Sequence, residues 1–84
     1  MKRFLFEETA KQDLRAIPRQ QAFDILLALT RLAREDAGDV TQLHGDLRGY
    51  HRLRAGDWRV LFKFEEKNTI HVYRVGNRRD VYSS

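Results

Sequence analysis

Apolar and polar residues change their spacing twice along this chain, and each change marks a different kind of element. In residues 2–7, Phe4 and Phe6 share one face and Leu5 takes the other, the alternation of a short strand. From Glu8 to Ile17 the apolar positions Ala10, Leu14 and Ile17 fall near one helical stripe, with Thr9 as a candidate cap. Pro18 ends that segment or opens the next, because its ring fixes φ and removes an N–H. Residues 19–34 carry the clearest helical pattern. Ala22, Ile25, Leu26, Leu29, Leu32 and Ala33 make a broad apolar face there, widened by Phe23, Leu27 and Ala28. Such a face can cover a sheet and the first helix together; Leu26 and Leu29 are the expected core positions, with a partner-facing role as the alternative.

Glu35 to Gly49 holds Gly38, Gly45, Gly49 and three aspartates between Asp36 and Asp46, and reads as a long connection anchored by Leu43 and Leu47. From Tyr50 the period becomes two. Tyr50, Arg52 and Arg54 share one face, and His51, Leu53 and Ala55 the other. After a Gly56-Asp57 turn, Trp58, Val60, Phe62 and Phe64 alternate with Arg59, Leu61 and Lys63. Glu65 to Asn68 is a second turn, and Thr69 to Val75 a further strand that Gly76-Asn77 breaks. The order predicts one α+β domain over 1–84: two N-terminal helices, at about 9–17 and 19–34, packed on a small, mainly antiparallel four-stranded sheet.

Size and composition narrow this further. For a chain of 84 residues and 10.0 kDa, the surface-scaling rule buries about 64% of the extended surface, enough for one core. The absence of cysteine excludes disulfides, a thiolate nucleophile and a Cys-based zinc site. No apolar run approaches the roughly 20 residues that cross a bilayer, and the start lacks the apolar region of a signal peptide, so a cytoplasmic location without membrane contact is expected. The three histidines are dispersed and the carboxylates form no paired site, so no metal or cofactor is expected.

Charge changes the picture more. Residues 1–47 hold 7 basic and 8 acidic side chains; residues 48–84 hold 9 basic and 4 acidic, for a net +5 in that half. Seven of those nine are arginine, whose planar fork suits phosphate. A solvated basic face is the plain reading, and nucleic acid the leading partner if the charge has a role. Arg52, Arg54, Arg59, Arg74, Arg78, Arg79 and Tyr82 can converge on one end of a meander. Such a cluster suits ribonucleolytic chemistry, in which the RNA supplies its own 2′-hydroxyl nucleophile and the protein stabilises charge on phosphorus.

Two segments carry a more specific signal. Gly49-Tyr50-His51-Arg52-Leu53-Arg54 is followed by Gly56-Asp57-Trp58-Arg59-Val60, and the chain closes with Val75-Gly76-Asn77-Arg78-Arg79-Asp80-Val81-Tyr82. Together, at this spacing, they resemble the RelE/ParE superfamily of type II toxin–antitoxin toxins, over nearly the whole chain. The resemblance implies the same fold and a neighbouring antitoxin protein as partner. Its RelE branch implies ribosome-dependent, metal-independent cleavage of mRNA; its ParE branch implies inhibition of DNA gyrase without nuclease activity. A non-catalytic homologue is the third reading. By the RelE pattern, Arg59 matches a phosphate-binding arginine, Arg78 an arginine near the leaving 5′-oxygen, and Tyr82 a tyrosine that orients the nucleotide. Arg52 falls on one of two strand lysines; the other falls on Tyr50 or His51. The catalytic candidates are therefore Arg59, Arg78, Tyr82 and Arg52, with Arg54, Tyr50, His51, Arg74 and Arg79 as RNA contacts.

Overall fold

The computed structural model describes residues 1–79. Its elements are β1 (Arg3–Phe6), α1 (Glu8–Ala16), α2 (Arg19–Glu35), β2 (Asp39–Gln42), β3 (His51–Ala55), β4 (Trp58–Glu65) and β5 (Thr69–Asn77), with a 3₁₀ turn at Gly45–Leu47. The break between the helices lies where Pro18 requires it. Ile17 is extended (φ −91°, ψ 139°), as the residue before proline prefers, and the Pro18 carbonyl accepts from the Ala22 N–H at 2.9 Å to start α2. At the other end Asp36 takes the left-handed conformation (φ 54°) and donates its N–H to Leu32 O. Thr9 does not cap α1: Glu7 holds that position, and Thr9 lies inside the helix.

The strands form one five-stranded sheet in the order β1-β5-β4-β3-β2. This corrects the four-stranded expectation in two ways. Asp39–Gln42, inside the segment read as a connection, pairs antiparallel with β3, so that Val40 meets Leu53. The N-terminal strand joins the far edge, parallel to β5, with Phe4 opposite Ile70 and Phe6 opposite Val72. β5 also runs through Gly76 to Asn77, where the sequence suggested a break. Gly38 opens β2 where its backbone passes close to the core: a Cβ there would lie 3.0 Å from Leu53 Cδ1, at a φ of +154°.

Both helices cover one face of the sheet. Ile25, Leu29, Leu32 and Ala33 of α2 and Ala10 of α1 pack on Leu53, Val60, Phe62, Ile70, Val72 and Val75. Each large side chain buried here contributes about 1.5–3 kcal/mol. The broad apolar face of α2 is divided. Its Ile25–Leu29–Leu32 line enters the core, whereas Phe23 (55% exposed), Leu26 (39%) and Leu27 (52%) face outward, which removes Leu26 from the expected core. Among the described residues, no helix is long and apolar enough to cross a membrane.

One irregularity sets the rest of the geometry. Leu61 pairs with Arg74 but Phe62 with Val72, so Tyr73 is an extra residue in β5. The bulge shifts the alternation, and the apolar core positions run 70, 72, then 75. It falls where β1 has ended and the β5 edge needs other partners. α1 supplies them: Thr9 Oγ1 donates to Tyr73 O at 2.7 Å, and Asp13 Oδ2 accepts from the Val75 N–H at 2.9 Å.

Candidate functional site

The sheet face away from the helices carries three cross-strand rows. Arg54, Arg59 and Gly76 form the row nearest the β3–β4 turn; Arg52, Leu61 and Arg74 form the next. The third holds Lys63, His71 and Leu5, with Tyr50 beside Lys63. Successive rows lie two residues apart along β4, about 6.6 Å.

Arg59 is buried, with 9% of its surface exposed. Its Nη1 donates to Gly56 O at 2.7 Å and to Trp58 O at 2.9 Å, carbonyls of its own hairpin. Gly56 holds the turn with φ +63°, which places its carbonyl beneath the guanidinium. Gly76 stands opposite Arg59 on β5 and offers no side chain. Among the described residues no carboxylate pairs with Arg59, and its Nε–Nη2 edge has no acceptor. That edge is the fork that grips carboxylate or phosphate bidentately. A buried guanidinium without a counter-ion is costly, and an incoming anion offsets the cost.

Arg54 is exposed beside it, and Arg52, half-buried, lies one row further. Arg78 reaches the same end through the backbone: its N–H donates to Asp57 O at 2.9 Å. Asp57, Asn77, Arg78 and Arg79 line an open cleft there. The structure thus brings Arg59, Arg54, Arg78 and Arg79 to one end of the sheet, with Arg52 adjoining.

Two of the expected residues, His51 and Arg74, stand elsewhere. His51 is on the helix-covered face, its ring stacked on Phe62 at 5.5 Å and edge-on to Phe64 at 4.9 Å, with a buried Nδ1 that has no partner among the described residues. It packs, and does not face the arginines, because position 51 alternates in phase with Leu53. Arg74 is held at the α1 edge by Asp13, through Nε at 2.8 Å and Nη2 at 3.2 Å, and this pairing raises its pKa. Tyr82 lies outside the described residues.

Sequence reasoning overlooked a polar network in the third row. His71, 9% exposed, places Nδ1 2.9 Å from Glu65 Oε2 and Nε2 2.9 Å from Glu7 Oε1. Its ring stacks on Tyr73 at 4.1 Å, and Tyr73 donates its hydroxyl to Glu65 at 3.2 Å. The hydrogen bond from His71 holds the Glu65 carboxyl below its ordinary range. Burial and the Glu65 bond push the Tyr73 hydroxyl up to about 12. Lys63 Nζ sits 4.4 Å over the Tyr50 ring, and Tyr50 meets Tyr73 edge-on at 5.1 Å. The phase of Lys63 with Arg59 was legible in the alternation of β4. The phase of His71 and Tyr73, opposite Ile70 and Val72, was legible in β5 too; the bulge that then exchanges the faces of Arg74 and Val75 was not. Among the described residues, no group of three or more His, Cys, Asp or Glu side chains is arranged to hold a metal ion.

Known proteins share this fold. A sequence model of the family described as ParE toxin of type II toxin-antitoxin system, parDE, matches residues 4–82. Toxin RelG of Mycobacterium tuberculosis is 32% identical over 79 residues, covering 92% of this chain and 91% of RelG. The toxin–antitoxin complex RelBE2 of the same organism contains a chain that superposes with a TM-score of 0.80 at 26% identity, covering 92% of this chain and 98% of that one. The RelB–RelE antitoxin–toxin complex of Methanococcus jannaschii shares the fold, with a TM-score of 0.73 at 24% identity and coverage of 94% and 95%.

Proposed function

This chain belongs to the ParE toxin family of the RelE/ParE superfamily and is a type II toxin–antitoxin toxin, and from that premise we propose that it cleaves mRNA on the ribosome as a metal-independent endoribonuclease. The observation that carries this reading is Arg59: a buried guanidinium fixed by two carbonyls, its fork edge without an acceptor among the described residues, with a second arginine directly opposite. Chemistry at such a site begins with the RNA 2′-hydroxyl. Its oxygen attacks the adjacent phosphorus, the bond from phosphorus to the 5′-oxygen breaks, and the products are a 2′,3′-cyclic phosphate and a 5′-hydroxyl. The 2′-hydroxyl proton leaves to a base, and the 5′-oxygen gains one.

Arg59 binds the non-bridging oxygens, whose charge grows in the transition state. Arg78 stabilises the departing 5′-oxygen, Tyr82 orients the nucleotide, and Arg52 adds charge stabilisation. Arg52, whose guanidinium only donates, serves as an electrostatic group and not as the base. Arg54 and Arg79 steer and hold the phosphate backbone.

An antitoxin partner follows from the same family membership, and the solved relatives RelBE2 and RelB–RelE are themselves toxin–antitoxin complexes. The outward face of α2 is the surface we assign to it. Phe23 and Leu26, with Leu14, Ile17 and Ala22, line an apolar groove flanked by Arg15 and Arg19, which fits an amphipathic segment with acidic margins.

Expression without antitoxin, followed by mapping of mRNA 5′ ends on ribosomes, tests the activity. New 5′-hydroxyl ends inside translated codons are expected, and their loss in an Arg59→Ala, Arg78→Ala double variant. Cleavage unchanged in that variant would sink the assignment. A second reading, a gyrase-directed toxin, draws on the ParE description of the matching family. It requires intact messages together with blocked supercoiling.

A further inference from the structure

The third row of the open face has the chemistry of a nucleotide subsite separate from the Arg59 end. Lys63 projects from β4 with Nζ 4.4 Å from the centre of the Tyr50 ring and 5.7 Å from that of Tyr73. Among the described residues its ammonium makes no hydrogen bond and no ion pair. The carboxylate nearby on its own strand, Glu65, is engaged at Oε2 by both His71 and Tyr73. Lys63 is thus a cation fixed by aromatic rings and available to an anion.

The rings are themselves positioned. Tyr73 is the extra residue of the β5 bulge, stacked on His71, and its edge contact holds Tyr50 at 5.1 Å. His71 is clamped between Glu7 after β1 and Glu65 at the end of β4. Three strands therefore converge to hold one lysine and two tyrosines on the arginine-bearing face. Aromatic side chains beside a cation are the parts from which single-stranded nucleic acid sites are built, with bases stacking on rings and phosphates on the charge.

Spacing relates this subsite to the cleavage centre. Lys63 is four residues from Arg59 along β4, about 13 Å, with the Arg52 row midway. An extended single strand covers that distance in about two nucleotides, so a strand whose scissile phosphate lies at Arg59 and Arg52 brings a further phosphate to Lys63.

We propose that Lys63, seated on Tyr50 and Tyr73, holds the RNA phosphate about two linkages from the scissile one, with the Tyr50 ring as a platform for the attached base. This rests on the ribonuclease reading above and deepens it: the toxin grips its message at a phosphate remote from the chemistry. Lys63 is a binding residue here and takes no part in proton transfer.

The test uses ribosomes programmed with a defined mRNA that carries a neutral methylphosphonate at one linkage at a time, over two linkages either side of the cleaved bond. The full-length chain and its Lys63→Gln and Lys63→Arg variants are compared. For the wild type, neutralising the linkage about two steps away is expected to raise KM about tenfold and leave the saturated single-turnover rate within about twofold. Lys63→Gln is expected to show that higher KM on natural RNA and to lose nothing more with the neutral linkage, while Lys63→Arg keeps the wild-type behaviour. Tyr50→Leu is expected to raise KM without altering the response to the neutral linkage. Equal sensitivity of wild type and Lys63→Gln at every linkage would overturn the subsite, as would a fall in the saturated rate of Lys63→Gln at unchanged KM. A wild type that cleaves no programmed message would instead overturn the ribonuclease reading and the subsite with it. Should Lys63→Gln fail to fold, Lys63→Met, which keeps the aliphatic contact with the rings and removes the charge, takes its place with the same expected and overturning results.

Discussion

Arg54 and Arg59 stand directly opposite one another across the β3–β4 hairpin, two cations in a single cross-strand pair. Like charges in that position disfavour the sheet by about 0.2–1 kcal/mol relative to neutral residues. The hairpin tolerates them because Arg59 is anchored to two carbonyls and Arg54 remains in solvent. An anion bound between the two converts that repulsion into attraction.

Removing Arg54 should therefore separate stability from function. Arg54→Ala is expected to leave the unfolding free energy unchanged or raise it by up to about 0.5 kcal/mol in urea denaturation. Cleavage of ribosome-bound mRNA should fall. Arg59→Ala is expected to lower the single-turnover rate about 10²-fold, about 2.7 kcal/mol, while ribosome binding changes much less. An Arg54→Ala protein destabilised by more than about 1 kcal/mol would identify Arg54 as a support of the hairpin.

The two sides of α2 predict opposite outcomes. Leu29 is 1% exposed within the core, so Leu29→Ala should cost about 2–5 kcal/mol. Leu26 is 39% exposed and lines the outer groove, so Leu26→Ala should cost much less in the free toxin. The same Leu26 variant should weaken antitoxin binding, measured by calorimetry on the purified pair. Equal destabilisation by both substitutions would place Leu26 back in the core.

Asp13 links α1 to the bulged half of β5 by accepting from the Val75 N–H and from Arg74. Asp13→Ala strips the partner from a backbone donor and should cost about 1–3 kcal/mol. Hydrogen exchange should show the Val75 amide losing protection ahead of the β3–β4 ladder. Asp13→Asn, which retains an acceptor, should lose less.

Glu65 and Tyr73 set opposite ends of a pH profile. The Glu65 carboxyl is held below its ordinary 4.5, first by the His71 hydrogen bond. Its contribution is present above about 4.5 and is lost as pH falls through the lower folded value. Tyr73 is raised from 10.0 to about 12 by burial and by Glu65. Its contribution is present below about 10 and is lost as pH rises toward 12. Thermal unfolding across pH should show a shallower acid limb in Glu65→Gln and a shallower alkaline limb in Tyr73→Phe. An unchanged acid limb in Glu65→Gln would mean the His71 bond contributes nothing to stability.

Local sequence determined the helices, the hairpin strands and the arginine face, because each depends on a repeat that the chain carries within itself. Pro18 alone divides α1 from α2, and the alternation from Tyr50 to Phe64 already separates Arg52, Arg54 and Arg59 from Leu53 and Val60. The tertiary structure decided what depends on distant partners. Asp39–Gln42 is too short and polar to read as a strand until Leu53 lies beside Val40. Phe4 and Phe6 form a strand in either sheet direction, and only the closure of the helices over the sheet sets β1 parallel to β5. The bulge at Tyr73 has no local signature; it places the extra residue where β1 ends and α1 takes over the β5 edge. That one residue moves Val75 into the core and Arg74 to the open face, because a side-chain period of two cannot absorb an insertion without exchanging faces.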